Sequence, residues 1–216
     1  WLRELGANVI GLSFNIPTEP SHFKLLNFEN IENNKLDIRD FESLKDLLLA
    51  KSPDFIFHLA AQSLVINSYK KPLDTWNTNL MGTVNLLEGL KHITNKCIAI
   101  FITSDKCYDN LEWSWGYRET DKLGGPDPYS ASKGAAEIAI SSYFRSFFIK
   151  DSNIKIASAR AGNVIGGGDW SQNRLIPDCV RAWSKGETVI LRNPKSTRPW
   201  QHVLEPLSGY LYLASK

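Results

Sequence analysis

Short apolar segments of strand length alternate along this chain with segments of helical periodicity, and several of the strand segments are apolar on both faces. That pattern predicts an α/β protein with a parallel sheet covered by helices on each side. Trp1-Leu2-Arg3-Glu4-Leu5-Gly6 reads as the last turns of a helix closed by a glycine stop, and Asn8 to Phe14 as a strand. Phe41 to Ala50 has helical periodicity, with Asp40 placed to cap it. Pro53 leads into a strand at Asp54 to His58, and Leu73 to Thr94 carries apolar residues at helical spacing over the length of a full helix. Ile98 to Thr103 is strand again, Pro128 to Ile149 a long helix and Ile154 to Ala159 a further strand. Residues 1–165 are therefore expected to form most of a Rossmann-type, doubly wound dinucleotide-binding domain. Residues 166–216, with Gly166-Gly167-Gly168-Asp169, Pro177, Pro194 and Pro199, are irregular and read as the start of a smaller substrate-binding part.

A chain of 216 residues can bury a sizeable core, and its net charge of +2 gives no electrostatic reason to expect nucleic acid or an anionic membrane as partner. The richest apolar stretch, Ile98 to Thr103, is far too short to span a bilayer, and no secretory signal is expected. Cys97, Cys107 and Cys179 are odd in number and lie in no metal-ligand spacing, which fits reduced thiols in a cytoplasmic protein. His22, His58, His92 and His202 are scattered, so no metal site is expected. The sequence starts at Trp1 without Met and ends at Lys216 inside an apolar run of helical character, Leu207 to Ala214. Both ends read as interruptions of structure, and the sequence is expected to be a fragment that lacks the first strand and Gly-rich loop of its fold.

The chemistry is concentrated in two segments. Ile102-Thr103-Ser104-Asp105-Lys106-Cys107-Tyr108 ends a strand in a hydroxyl, and Tyr129-Ser130-Ala131-Ser132-Lys133 puts a phenol and an ammonium four residues apart on one helical face. A cation near a phenol favours its ionised form, so Tyr129 can take a proton from a substrate hydroxyl while Ser104 hydrogen-bonds the same oxygen. Asp105 and Lys106 can be a solvated turn; read functionally, they are a second acid and base, which elimination of water requires and simple oxidation does not. Burial would favour the neutral form of each, and their mutual attraction opposes it.

Other segments are less specific. His58-Leu59-Ala60-Ala61-Gln62 ends a strand in small residues, which suits close approach of a dinucleotide and tight helix packing equally well. Asp37, in Leu36-Asp37-Ile38-Arg39-Asp40, can face an adenine ring or simply begin a helix, and its local pattern favours the second. Asn15 is neither the acid that commonly holds an NAD ribose nor an arginine for a 2′-phosphate. Arg174, Arg192 and Arg198 lie among Trp170, Trp183 and Trp200, as a nucleotide diphosphate site would need and as an ordinary surface also allows.

Taken in order, HLAAQ (58–62), NTNLMGT (77–83), TSDKCY (103–108), PYSASK (128–133), RAGNVIGGGDW (160–170) and RPWQHV (198–203) resemble the extended short-chain dehydrogenase/reductase family of NAD-dependent sugar epimerases and dehydratases. Within it they resemble the nucleotide-sugar 4,6-dehydratases of the CDP-glucose type, through Ser-Asp-Lys where dTDP-glucose enzymes carry Thr-Asp-Glu, and through GGGDW and RPWQHV. The resemblance covers essentially the whole chain. It implies hydride removal from C4 of CDP-glucose, loss of water across C5 and C6, and hydride return to C6, giving the CDP-4-keto-6-deoxy sugar. Tyr129 would be the base at the C4 hydroxyl, supported by Ser104 and Lys133, with Asp105 the acid at C6 and Lys106 the base at C5. Asp37, Ile38, Leu59, Ala60, Ala61, Gln62, Thr78, Tyr129 and Lys133 would lie along NAD, and Asn163, Arg174, Arg192 and Arg198 along the sugar nucleotide. A homodimer through the helices at about 73–94 and 128–149 is implied too. Without the Gly-rich loop, the chain as it stands is expected to bind NAD poorly.

Overall fold

Cys97–Ile102 (CIAIFI) is deeply buried: Cys97, Ala99, Ile100 and Phe101 are all closed off from solvent. A strand apolar on both faces must be covered on both, and it therefore sits at the centre of a sheet. A computed structural model describes residues 1–27, 31–149 and 152–216. It divides into two compact units, neither a continuous stretch of chain: Trp1–Asp37 with Asn163–Val203, and Ile38–Gly162 with Leu204–Lys216.

The second unit is built on three parallel strands, β3 (Phe55–His58), β4 (Cys97–Ile102) and β5 (Ile154–Ala159), paired in that order. Helix α2 (Phe41–Lys51) starts at Asp40, whose carboxylate accepts from Ser43 N at 3.2 Å, and buries Leu44 and Leu48. After α3 (Val65–Lys70) come α4 (Pro72–Trp76), a π-helical turn at Asn77–Met81, and α5 (Gly82–Leu90), in which Leu86, Leu87 and Leu90 are buried. The single long helix expected over 73–94 is therefore widened in its middle and stops at Leu90. Helix α6 (Pro128–Phe147) begins on Asp127, which accepts from Ser130 N at 3.0 Å, with Pro128 in the first turn where its missing N–H costs nothing. Helix α8 (Leu204–Ala214) starts three residues before the apolar run that announced it and packs against β4.

The first unit holds two parallel pairs, β1 (Ile10–Ser13) with β2 (Glu32–Lys35), and β6 (Asn163–Ile165) with β7 (Trp200–His202). It also holds α1 (His22–Leu26) and α7 (Leu175–Ser184). At the start of the chain Ala7 N bonds Leu2 O at 3.1 Å and Gly6 N bonds Arg3 O at 2.9 Å, with Gly6 at φ +84°. Those are the bonds of a helix end, but residues 2–6 form turns and no helix, so only the closing turn of the expected helix is seen. Among the described residues no helix is long and apolar enough to cross a membrane, no group of His, Cys, Asp and Glu is placed to hold a metal ion, and all three cysteines are free and buried.

Candidate active site

The carboxyl end of β4 and the first turns of α6 meet in the second unit. Thr103 continues the ladder through its N–H to Ala159 O (2.9 Å), and Ser104 stays extended. The Ser104 side chain then caps a single 3-10 turn, Asp105–Cys107, by accepting from Lys106 N at 3.2 Å. Its hydroxyl donates to Asp105 Oδ1 at 3.0 Å, and Asp105 N reaches Ala161 O at 3.0 Å. The turn carrying the candidate acid and base is thus fixed by backbone bonds on both sides.

Helix α6 packs directly on this turn. Gly134 makes the approach possible, because a Cβ there would lie 3.0 Å from Gly124 O and 3.1 Å from Cys107 O, both backbone atoms that cannot swing aside. Tyr129 and Lys133 are buried on the same helix face, and Lys133 Nζ donates to Ile102 O at 3.2 Å, two residues before Ser104. The structure thereby brings Ser104, Asp105, Lys106, Tyr129 and Lys133 into one neighbourhood.

Burial pushes the Lys133 ammonium down to about 8, with the negative charge of Glu137 opposing the fall. His58, at the end of β3, is pushed down to about 3 by burial and by the charge of Lys133. It is therefore neutral, and its tautomer follows from its partner. The Thr83 hydroxyl donates to Asn79 O (2.7 Å), so it accepts from His58 Nε2–H across 3.1 Å.

Lys133 also sets a stability expectation. Its folded value lies below its ordinary 10.5, so between pH 8 and 10.5 the unfolded chain binds more protons. The penalty is complete below about pH 8 and fades as pH rises toward 10.5. Lys133→Met in the complete protein should therefore gain stability near neutral pH, up to on the order of 3 kcal/mol, and lose that gain in alkali. Urea unfolding at the two pH values checks this; an equal effect at both would refute it.

Of the residues assigned to the cofactor, Ile38, Leu59, Ala60, Ala61, Gln62 and Thr78 belong to this unit, and Asp37 to the other. Gln62 is held on both sides of its peptide by Asn79, which accepts from Gln62 N (2.8 Å) and donates to Gln62 O (3.1 Å). Asn79 also donates to Ser132 Oγ (3.0 Å), whose own proton goes to Tyr129 O (2.7 Å). Asn79 is closed off from solvent and lies in the π-helical turn, beside Thr78. It joins the Leu59–Gln62 loop to the helix of Tyr129 and Lys133, a role that sequence reading missed although the surrounding NTNLMGT run had been singled out.

The residues assigned to the sugar nucleotide all lie in the first unit. Asn163 opens β6, Arg174 stands at the N-cap of α7 with Nη1 3.4 Å from Asp169 Oδ2, Arg192 donates to Asn173 O at 2.9 Å, and Arg198 donates to Thr197 O at 2.7 Å.

Comparison with known proteins gives this arrangement a context. The family model described as GDP-mannose 4,6 dehydratase matches residues 13–214. A CDP-glucose 4,6-dehydratase of Salmonella typhimurium is 51% identical over the whole of this chain, which spans 62% of that protein. Among solved structures, a dTDP-glucose 4,6-dehydratase from Streptomyces venezuelae, solved with NAD bound, superposes with a TM-score of 0.84 at 24% identity, covering 99% of this chain and 66% of that one. A UDP-glucose 4-epimerase of Thermotoga maritima gives 0.84 at 23% identity, covering 98% of this chain and 67% of that one. The structural likeness establishes the Rossmann-like α/β fold.

Proposed function

The chain belongs to the GDP-mannose 4,6 dehydratase family, and from that premise we propose that the protein it forms part of is an NAD-dependent dehydratase converting CDP-glucose to the 4-keto-6-deoxy sugar nucleotide. The observation that carries this reading is the packing of the Asp105–Cys107 turn against α6, the helix of Tyr129 and Lys133; we assign Asp105 and Lys106 on that turn as the second acid and base. Oxidation or epimerisation at C4 alone has no use for that pair. The choice of CDP-glucose rests on the Salmonella relative.

In this reading Tyr129 takes the proton of the C4 hydroxyl, Ser104 holds that oxygen, and the Lys133 charge stabilises the phenolate. Lys106 removes the proton at C5 and gives one back there when hydride adds at C6, and Asp105 protonates the departing C6 oxygen, which leaves as water. NAD, when bound, would accept the C4 hydride and return it at C6. Asp37, Ile38, Leu59, Ala60, Ala61, Gln62, Thr78, Tyr129 and Lys133 are the residues we assign to it. The fit is favourable at Leu59–Ala61, where small residues follow the carboxyl end of β3 and Leu59 leaves half its surface exposed. Asn163, Arg174, Arg192 and Arg198 are assigned to the sugar nucleotide. Residues 1–165 would serve dinucleotide binding, and 166–216 would begin the sugar-nucleotide part. A homodimer is supported by the apolar residues that α4, the π-helical turn and α6 leave exposed, Leu73, Met81, Ile138 and Phe144 among them. We place the protein in the cytoplasm, consistent with its reduced cysteines.

The test offers CDP-, dTDP-, UDP- and GDP-hexoses in parallel to the complete protein with NAD and follows product mass. Loss of one water from CDP-glucose alone is the expected result. Loss from another nucleotide would keep the reaction and correct the substrate, whereas loss from none with NAD bound would replace the dehydratase with an epimerase or a binding protein.

A further inference from the structure

Glu137 lies one helical turn beyond Lys133 on the buried face of α6, with its side chain only 6% exposed. An isolated buried carboxylate is costly, and this one is fully engaged. Arg160, just past β5, gives it a two-pronged contact, Nε to Oε1 and Nη2 to Oε2, both at 3.1 Å. Ser158 of β5 donates to Oε2 at 3.0 Å, and the Thr103 hydroxyl donates to Oε1. Burial alone would raise the Glu137 carboxyl, but Arg160 and the two hydroxyls hold it below its ordinary value. The guanidinium reaches further, since Nη1 donates to Tyr108 Oη at 2.9 Å and to Glu119 O at 3.1 Å and the group lies over the Tyr108 ring at 4.8 Å.

The two outer anchors are telling. Thr103 immediately precedes Ser104-Asp105-Lys106, and Tyr108 follows Cys107 directly after that turn. One ion pair thus holds the chain just before and just after the candidate acid-base turn, and ties both points to the helix of Tyr129 and Lys133. We propose that Glu137 and Arg160 form a positioning clamp that locks the Ser104–Lys106 turn to α6 and presents a fixed negative charge to Lys133. The proposal rests on the dehydratase reading only for its kinetic consequence.

The charged and titratable groups around Lys133 are Glu137 and Tyr129 on its own helix, His58 from β3, Asp105 and Lys106 on the adjoining turn, and Arg160 beyond β5. His58 is neutral, and Glu137 is the partner whose charge acts on Lys133.

The experiment uses the complete protein with lysine side chains labelled with carbon-13 at the ε position, the Lys133 resonance being the one lost in Lys133→Met. Glu137→Gln should lower the Lys133 titration midpoint by on the order of one pH unit, and Glu137→Asp, which keeps the charge, should restore it. An unchanged midpoint in Glu137→Gln overturns the electrostatic half of the clamp, and this readout needs neither substrate nor turnover. Tyr108→Phe removes one hydroxyl, keeps the ring under Arg160 and leaves the Glu137 charge in place. It should leave the Lys133 midpoint alone and slow dehydration about tenfold, with KM for the sugar nucleotide unchanged; a parent rate overturns the positioning half. If the parent protein dehydrates no nucleotide sugar, the functional reading fails while the Lys133 titration still decides the electrostatics.

Discussion

Replacing Tyr129 by Phe in the complete protein is expected to slow oxidation at C4 about a thousandfold, read as loss of the near-ultraviolet absorbance of reduced nicotinamide when CDP-glucose is added. The phenol is the one group of the proposed set that takes a proton from the substrate while hydride leaves the adjacent carbon. Phe keeps the ring and its packing on the buried face of α6, so folding should change by no more than about 1 kcal/mol. The loss would therefore be chemical. A second signature follows from Lys133, which is charged below about pH 8 and loses its proton above it. The phenolate loses its cationic neighbour on that limb, so the parent oxidation rate should fall as pH rises through about 8, other ionisations being equal. Undiminished oxidation by Tyr129→Phe would mean that a different group is the base.

The parts of this molecule that were legible in its sequence are those where burial dictates composition. Strand β4 was read within one residue at each end because a covered strand is apolar throughout, and β5 at both its ends, its Ile154 and Ile156 alternating with Lys155. Helices α2 and α6 announced their starts through Asp40 and Pro128. Strand β2 was invisible for the converse reason. Its Glu-Asn-Asn-Lys sequence is largely exposed and is held by backbone pairing to β1, which leaves no hydrophobic signature. The π-helical turn at Asn77–Met81 was equally hidden, since widening a turn changes no residue type.

The candidate site divides in the same way. Ser104, Tyr129 and Lys133 could be named because their spacing carries their chemistry. Asn79 could not, because its bonds run to Gln62 and Ser132, 17 and 53 residues away. Glu137 shows in sequence only as an acid four residues after a lysine on a helix, the pattern of an ordinary surface pair. Its true partner, Arg160, is 23 residues further on and is brought to it by β5. Asn163, Arg174, Arg192 and Arg198 were named through resemblance, since arginines among tryptophans describe a surface as well as a site.

Lys106→Ala is expected to separate the reaction into its parts. Oxidation at C4 should continue, because Tyr129, Ser104 and Lys133 are untouched, while elimination should slow about a thousandfold for want of a base at C5. Reduced nicotinamide should then accumulate to one equivalent per site with no product lacking water, and exchange of the C5 hydrogen with heavy water should vanish. Lys106 is the cleaner probe of the pair for a structural reason. Its backbone N–H makes the 3.2 Å bond to Ser104 Oγ that closes the turn, and alanine keeps that bond. The Asp105 carboxylate instead accepts the Ser104 hydroxyl at 3.0 Å, so Asp105→Asn would disturb the group that orients the C4 oxygen and would blur the two steps. Water loss at the parent rate in Lys106→Ala would show that the lysine is a solvated neighbour of Asp105, and would move the search for the C5 base off the turn.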